Sequence, residues 1–279
     1  MATKLVFMPG EGEQLFREEF IQYEFFGGFA LSQKRKCITS LHASIQKAHP
    51  EAKILEISSK SPDELGVELS AFNLKLLPPQ PSPIAPPVAG TIAACAMTPV
   101  VVPIFPLECV FQSAKKFLSG GPFADILNKS PRDAKRDERL RASGDLQSFE
   151  FEGKSWPLEP KSLFYDWIYI RALSQNPNLA DELIKYDIFT DIEFNHTKSI
   201  NCQARSAAIY VKLYKSGQLK DVLAGKIDFA SLYKGVSYFT SPMSIKPPSK
   251  NTSGIQKKEM DSKEFLAKDG DVTQTDKIN

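Results

Sequence analysis

The stretch PLECVFQSAKKF, Pro106 to Phe117, decides how the rest of the chain is read. At helical spacing Leu107, Val110, Phe111, Ala114, Phe117 and the following Leu118 form one broad apolar surface. Glu108, Gln112 and Lys115 fall four and three residues apart, so on one helix they share a single narrow strip. Spacing alone makes that strip a solvated pair of charges, worth roughly a few tenths of a kcal/mol. The flanking sequence is so apolar, however, that much of the helix must be buried, and buried charges are rarely kept without a partner or a task.

Working outward, Leu76 to Val88 is dense in proline and reads as polyproline-like chain inserted in the fold. The most apolar region, Ile84 to Val110, has prolines at 86, 87, 99, 103 and 106, which interrupt any membrane helix. Nearer the N-terminus, LVF, YEFF and KILEIS are short runs of strand character separated by turn signals. Between them Ser32 to Lys47 places Ile38, Leu41 and Ile45 on one side of a helix. Ser61, followed by Pro62 and Glu64, is expected to cap a short helix.

Downstream, Gly120-Gly121 stops the PLECVFQSAKKF helix, expected over Leu107 to Leu118. Ser130-Pro131 opens another, running to about Ala142, and FEFEG then alternates like a strand. Further helices are expected over Lys161 to Gln175, Pro177 to Tyr186 and Ala204 to Ser216. From about Lys246 the chain is polar and poor in large apolar residues, so a disordered tail is expected over 246–279. The fold class is α+β, a predominantly helical core with a small β-rich N-terminal part over residues 1–55. The main domain spans 56–245, with the proline-rich insertion at about 76–106.

Composition adds exclusions. The 279 residues are 42% hydrophobic and 24% charged, ordinary for a globular protein. A net charge of +2 gives no global field toward nucleic acid or membrane, so any such signal must be local. The four cysteines include no CxxC pair, which reads as reduced thiols and not as a disulfide framework or zinc site. The N-terminal MATKLVFMPGEGEQ lacks the apolar core of a signal peptide, so a cytoplasmic protein is expected. No GxGxxG, Walker loop, HExxH or GxSxG occurs.

Three further constellations carry chemistry. SPRDAKRDERLRASG, Ser130 to Gly144, spreads Arg132, Lys135, Arg136 and Arg139 among acids; it is either a salt-bridged surface helix or a grip for phosphates. FTDIEFNHTKSINCQARS, Phe189 to Ser206, packs Asn195, Asn201, Gln203 and Arg205 just before a small-residue helix, where a turn or a site could be built. His196 and Cys202 lie in the same loop, but no orienting signature accompanies them as a base and a thiol nucleophile. Trp156, ahead of an aromatic helix, is a candidate stacking platform for a flat ligand.

In this order the pieces resemble the NADAR (YbiA-like) N-glycosidase family. The resemblance rests on Glu108, Gln112 and Lys115, on Leu69-Ser70-Ala71-Phe72 for the family's LSNF-type motif, and on Ser130, Pro131, Ala134, Lys135 and Arg136. Trp156 with Lys161, and a helix leading to QNPNL, complete it over roughly residues 55 to 216. The wording ISSKS, SPRDAKRDERL, WPLEPKSLFYDW and KSINCQARS is closest to NADAR antitoxins paired with DarT-type DNA ADP-ribosyltransferase toxins. Two departures stand out. Ala71 occupies the expected asparagine position, with Asn73 nearby, and KSINCQARS replaces an Asp and Trp-Gly pair.

That resemblance implies a YbiA-like core and an enzyme that removes ADP-ribose from ADP-ribosylated guanine in DNA, with no metal, cofactor or membrane. Glu108 and Lys115 would be catalytic. Ser70, Asn73, Gln112, Lys135, Arg136, Trp156, Asn195, Asn201, Gln203 and Arg205 would bind substrate. The alternatives are a non-catalytic ADP-ribose or nucleotide module that neutralises a toxin by contact, and an N-glycosidase for a riboflavin-pathway intermediate.

Overall fold

The computed structural model describes residues 1–77 and 104–236. The chain begins with an antiparallel hairpin, β1 (Ala2–Pro9) and β2 (Phe16–Tyr23), in register from Ala2↔Tyr23 to Pro9↔Phe16. The second strand is therefore FREEFIQY, upstream of the YEFF run expected from sequence. Helix α1 (Leu31–Ala48) buries Cys37, Ile38, Leu41 and Ile45 on one side. Strand β3 (Ile54–Glu56) follows, then α2 (Glu64–Glu68), whose cap is Asp63; Ser61 Oγ instead accepts from the Asp63 N–H. Strands β4 (Lys75–Leu76) and β5 (Phe105–Pro106) pair antiparallel, so the proline-rich segment leaves and returns at adjacent points. Its interior and the polar tail lie outside the described residues.

Helix α3 (Leu107–Ser113) ends earlier than the sequence pattern suggests, and the chain becomes strand β6 (Lys115–Phe117). Two short helices, α4 (Pro131–Arg136) and α5 (Arg139–Ala142), stand where one was expected. Strands β7 (Leu146–Phe151) and β8 (Lys154–Trp156) complete a second sheet, ordered β6-β7-β8. Then come α6 (Leu163–Ser174), α7 (Pro177–Leu183), β9 (Ile188–Thr190), α8 (Gln203–Lys215) and α9 (Leu219–Leu223).

The main sheet runs β2-β1-β9-β3, with β3 and β9 parallel and β1 antiparallel to β9. Residues 1–56 are thus tied by backbone hydrogen bonds to a strand more than a hundred residues on (about 130 separate Ile54 from its partner Ile188). The sheet is buried on both faces. Leu5 and Phe7 of β1 belong to the core that includes α6 and α8, whereas Val6 and Met8 pack with Cys37, Ile38 and Leu41 of α1. This explains why LVFM, residues 5–8, is a continuous apolar run and not an alternating one. The architecture is a mixed one of helices and sheets, and no helix among the described residues is long and apolar enough to cross a membrane.

The expected α3 and Ser130 helices were broken by tertiary contacts. Beyond Ser113, pairing with β7 (Lys115↔Phe149) and the Glu150 N–H to Ala114 carbonyl bond outcompete another helical turn. Gly121, at φ 77°, lies so close to Lys115 that an added Cβ would sit 2.2 Å from its carbonyl oxygen. In the second case the Ser130 hydroxyl caps α4 as expected. The break falls at buried Asp137, which accepts from Lys129 Nζ (2.6 Å), Arg139 Nε (2.9 Å) and the Arg139 N–H (3.0 Å). Those partners, Arg139 foremost, hold its carboxyl well below the usual range.

Candidate functional site

The parallel pair β3 and β9 places two loops at its carboxyl ends, 57–61 and 191–201, as open sheets do where they bind ligands. Facing them are the Ser70–Phe72 turn and α3. Together they enclose a cavity of about 730 Å³, the size of a cofactor or nucleotide site.

Glu108 sits in the first turn of α3 because the helix is anchored at that end. The Leu107 N–H donates to the Leu74 carbonyl (2.9 Å) and the Glu108 N–H to the Ala71 carbonyl (2.9 Å), satisfying groups that a helix start leaves open. The Glu108 side chain is 6% exposed and borders the cavity. Its Oε1 accepts from Gln112 Nε2 at 2.8 Å, one helical turn on, while its Oε2 has no hydrogen bond among the described residues. Gln112, 5% exposed, leaves its own Oε1 buried and without a partner among the described residues. A ligand hydroxyl is the kind of donor that oxygen lacks.

Lys115 arrives from β6 and not from the helix, yet it lines the same cavity. Its ammonium lies 4.9 Å from the centre of the Phe111 ring. Burial pulls its pKa down and Lys135 adds to that, while the Glu108 carboxylate pulls it back up. Phe111 is itself held by Phe149, Phe164 and Tyr165, so the apolar side of α3 fixes the three polar groups.

Of the other residues expected from sequence, Ser70, Lys135, Asn195, Asn201 and Gln203 line this cavity. Lys135, on α4, holds its ammonium 5.8 Å from the Phe72 ring at the rim. Gln203 is committed to the fold. Its Oε1 accepts from the Ala71 N–H, and its Nε2 donates to Asp191 Oδ2 (3.0 Å) and the Ile57 carbonyl (3.4 Å). It thereby ties together the three loops that form the wall.

Four expected residues lie elsewhere. Asn73 donates to the Val67 carbonyl (2.9 Å) and borders a different cavity, so it does not stand in for an asparagine at position 71. Arg136 is exposed and outside the cavity lining. Trp156 is 6% exposed, packed against Phe164 and Trp167 at the end of β8; it offers no free face there. Arg205 is buried 3.6 Å from Asp166 in the core, which places it behind the wall.

The sequence reading assigned no role to Ser58, Lys60, Phe72, Tyr165, Asp191 or Lys198, all of which line the cavity. Ser58 and Lys60 sit in ISSKS, directly after a strand, and that position was the available signal. Two buried acids meet here, Asp191 at the lining and Glu56 behind it. Glu56 accepts from Ser58 Oγ (2.7 Å), Thr190 Oγ1 (2.6 Å) and the Ile192 N–H (2.8 Å). Burial, then Asp191, push its carboxyl up to about 7; burial likewise raises Asp191. Lys4 lies beside them, donating to the Ile192 carbonyl at 2.8 Å and to that of Phe194; burial lowers its pKa against the pull of the two acids.

Fold and site together define a protein organised around a polar pocket lined by a carboxylate, an amide and an ammonium, those of Glu108, Gln112 and Lys115. The chain belongs to the family described as DarT1-associated NADAR antitoxin, whose model matches residues 2–85 and 97–241. The family name associates it with a DarT1 toxin. No curated protein matches the sequence.

Proposed function

We propose that the protein is an N-glycosidase that removes ADP-ribose from ADP-ribosylated guanine in DNA and so reverses a DarT-type modification. The observation that carries the reading is the half-satisfied pair at the cavity floor. Among the described residues, Glu108 has one carboxylate oxygen without a hydrogen bond, and Gln112 a buried acceptor without a donor.

Breaking the ribose–guanine bond builds positive charge on the sugar carbon, which a close carboxylate stabilises. Glu108 fills that role and takes a proton from the attacking water. The water oxygen bonds to the anomeric carbon as the C–N bond breaks, its electron pair leaves with the guanine nitrogen, and that nitrogen takes up a proton. Gln112 accepts a hydrogen bond from a ribose hydroxyl. Lys115 sets a cation on the same cavity lining as the Glu108 carboxylate, while Lys60, Lys135 and Lys198 offer cations for a diphosphate.

The test is product analysis of guanine-modified DNA incubated with the purified protein. The reading expects free ADP-ribose and unmodified DNA in equal amounts. Tight binding of ADP-ribose without any release would make the protein a binding module instead.

A further inference from the structure

The segment FFGGFALSQKRK, residues 25–36, sets three phenylalanines beside three cations, and neither the core nor the pocket uses most of them. Phe29 is 100% exposed and Phe25 is 56% exposed. The segment's position is fixed by two contacts from the start of α1. Lys34 Nζ lies 3.1 Å from Glu193 of the 191–201 loop, and Arg35 Nη2 donates to the Ser61 carbonyl at 3.5 Å, beside Lys60. The start of α1 therefore bridges the two loops that form the pocket mouth.

We propose that this face is a landing surface for single-stranded nucleic acid leading into the pocket. Arg35 and Lys36 are exposed, and Lys60 and Lys198 continue the positive line to the cavity. Glu193, an acid at the cavity lining on this side, is paired with Lys34. Exposed aromatic rings interleaved with cations are what an unpaired strand needs: a base for each ring to stack on and phosphates for the cations. A duplex keeps its base faces covered, so Phe29 would have nothing to stack on. The proposal rests on the glycosidase reading only for the strand being part of the substrate.

The experiment is fluorescence anisotropy with an unmodified single-stranded oligonucleotide and with the same sequence as a duplex. The single strand is expected to bind about tenfold more tightly, and Phe29→Ala to weaken it about tenfold while melting as the wild type does. Arg35→Ala should lower the slope of log affinity against log salt by about 0.7, one phosphate contact on a single strand. Equal binding of strand and duplex, or an unchanged Phe29→Ala, would overturn the proposal. So would a Phe29→Ala that loses only its association with the toxin, which would assign the face to a protein. Because the oligonucleotide carries no ADP-ribose, the two readings fail separately. Strand binding without ADP-ribose release breaks only the glycosidase, and release without strand preference breaks only this surface.

Discussion

Two buried carboxylates, Glu108 and Asp166, sit on neighbouring helices of one core and end differently. Asp166 of α6 is 0% exposed and accepts from Ser162 Oγ (2.6 Å), Tyr233 OH (2.8 Å) and Ser206 Oγ, with Arg205 at 3.6 Å. Those donors come from the start of α6, from α8 and from the chain beyond α9, so the carboxylate fastens three segments. Among the described residues Glu108 has one donor, its own helix neighbour, and it opens on a cavity. A buried charge whose hydrogen bonds are complete holds the fold, and one left incomplete has room for a ligand.

The largest effect should come from the incomplete site. Glu108→Gln keeps the shape and removes the charge, and release of ADP-ribose from modified DNA should fall about a thousandfold, read by single-turnover kinetics. The complete site should answer with stability. Asp166→Ala leaves Arg205 without its carboxylate and should cost about 3 kcal/mol, seen as a melting point lower by about 9 °C. Activity per folded molecule should stay near wild type, and a rate loss larger than the folding loss would break the contrast.

Gln203 falls between the two, because it lines the cavity yet spends its amide on Ala71, Asp191 and Ile57. Gln203→Leu should therefore cost about tenfold in turnover by loosening the wall, with little change in the pH at which activity is half-maximal. A shifted pH profile would instead make it a partner of the reacting groups.

The smallest effect concerns the acid behind the wall. Glu56, raised to about 7, binds its proton more tightly when folded, so stability falls as pH rises from about 4.5 to about 7. His42, which burial lowers to about 4, has the opposite sign: stability falls as pH drops from 6.5 toward 4. The two meet through Thr190, which lies 2.9 Å from His42 Nε2 and 2.6 Å from Glu56, and their slopes oppose where the windows overlap. In His42→Gln the opposing slope is removed, so the melting point should decline steadily as pH rises across that range. A flat profile in the variant would place the titration elsewhere.

How much of this was legible in the sequence follows the same contrast. The Glu108–Gln112 pair was readable because a one-turn spacing survives in even a short helix. Lys115 lines the same cavity as Glu108 but from a strand and not the expected helix, since nothing local announces that a distant strand will claim Lys115–Phe117. Trp156 was misplaced because spacing cannot say which side of a hairpin faces Phe164 and Trp167. Asp166 went unremarked inside LFYDWIYI, although a lone acid in an all-apolar helix must find partners. Arg205 was one of those partners, three elements further along the chain.

The most direct test sets the two carboxylates side by side, with guanine-modified DNA and equal amounts of folded wild type, Glu108→Gln and Asp166→Ala. ADP-ribose release should all but vanish in Glu108→Gln and persist in Asp166→Ala. Release by Glu108→Gln at the wild-type rate would contradict the role given to Glu108.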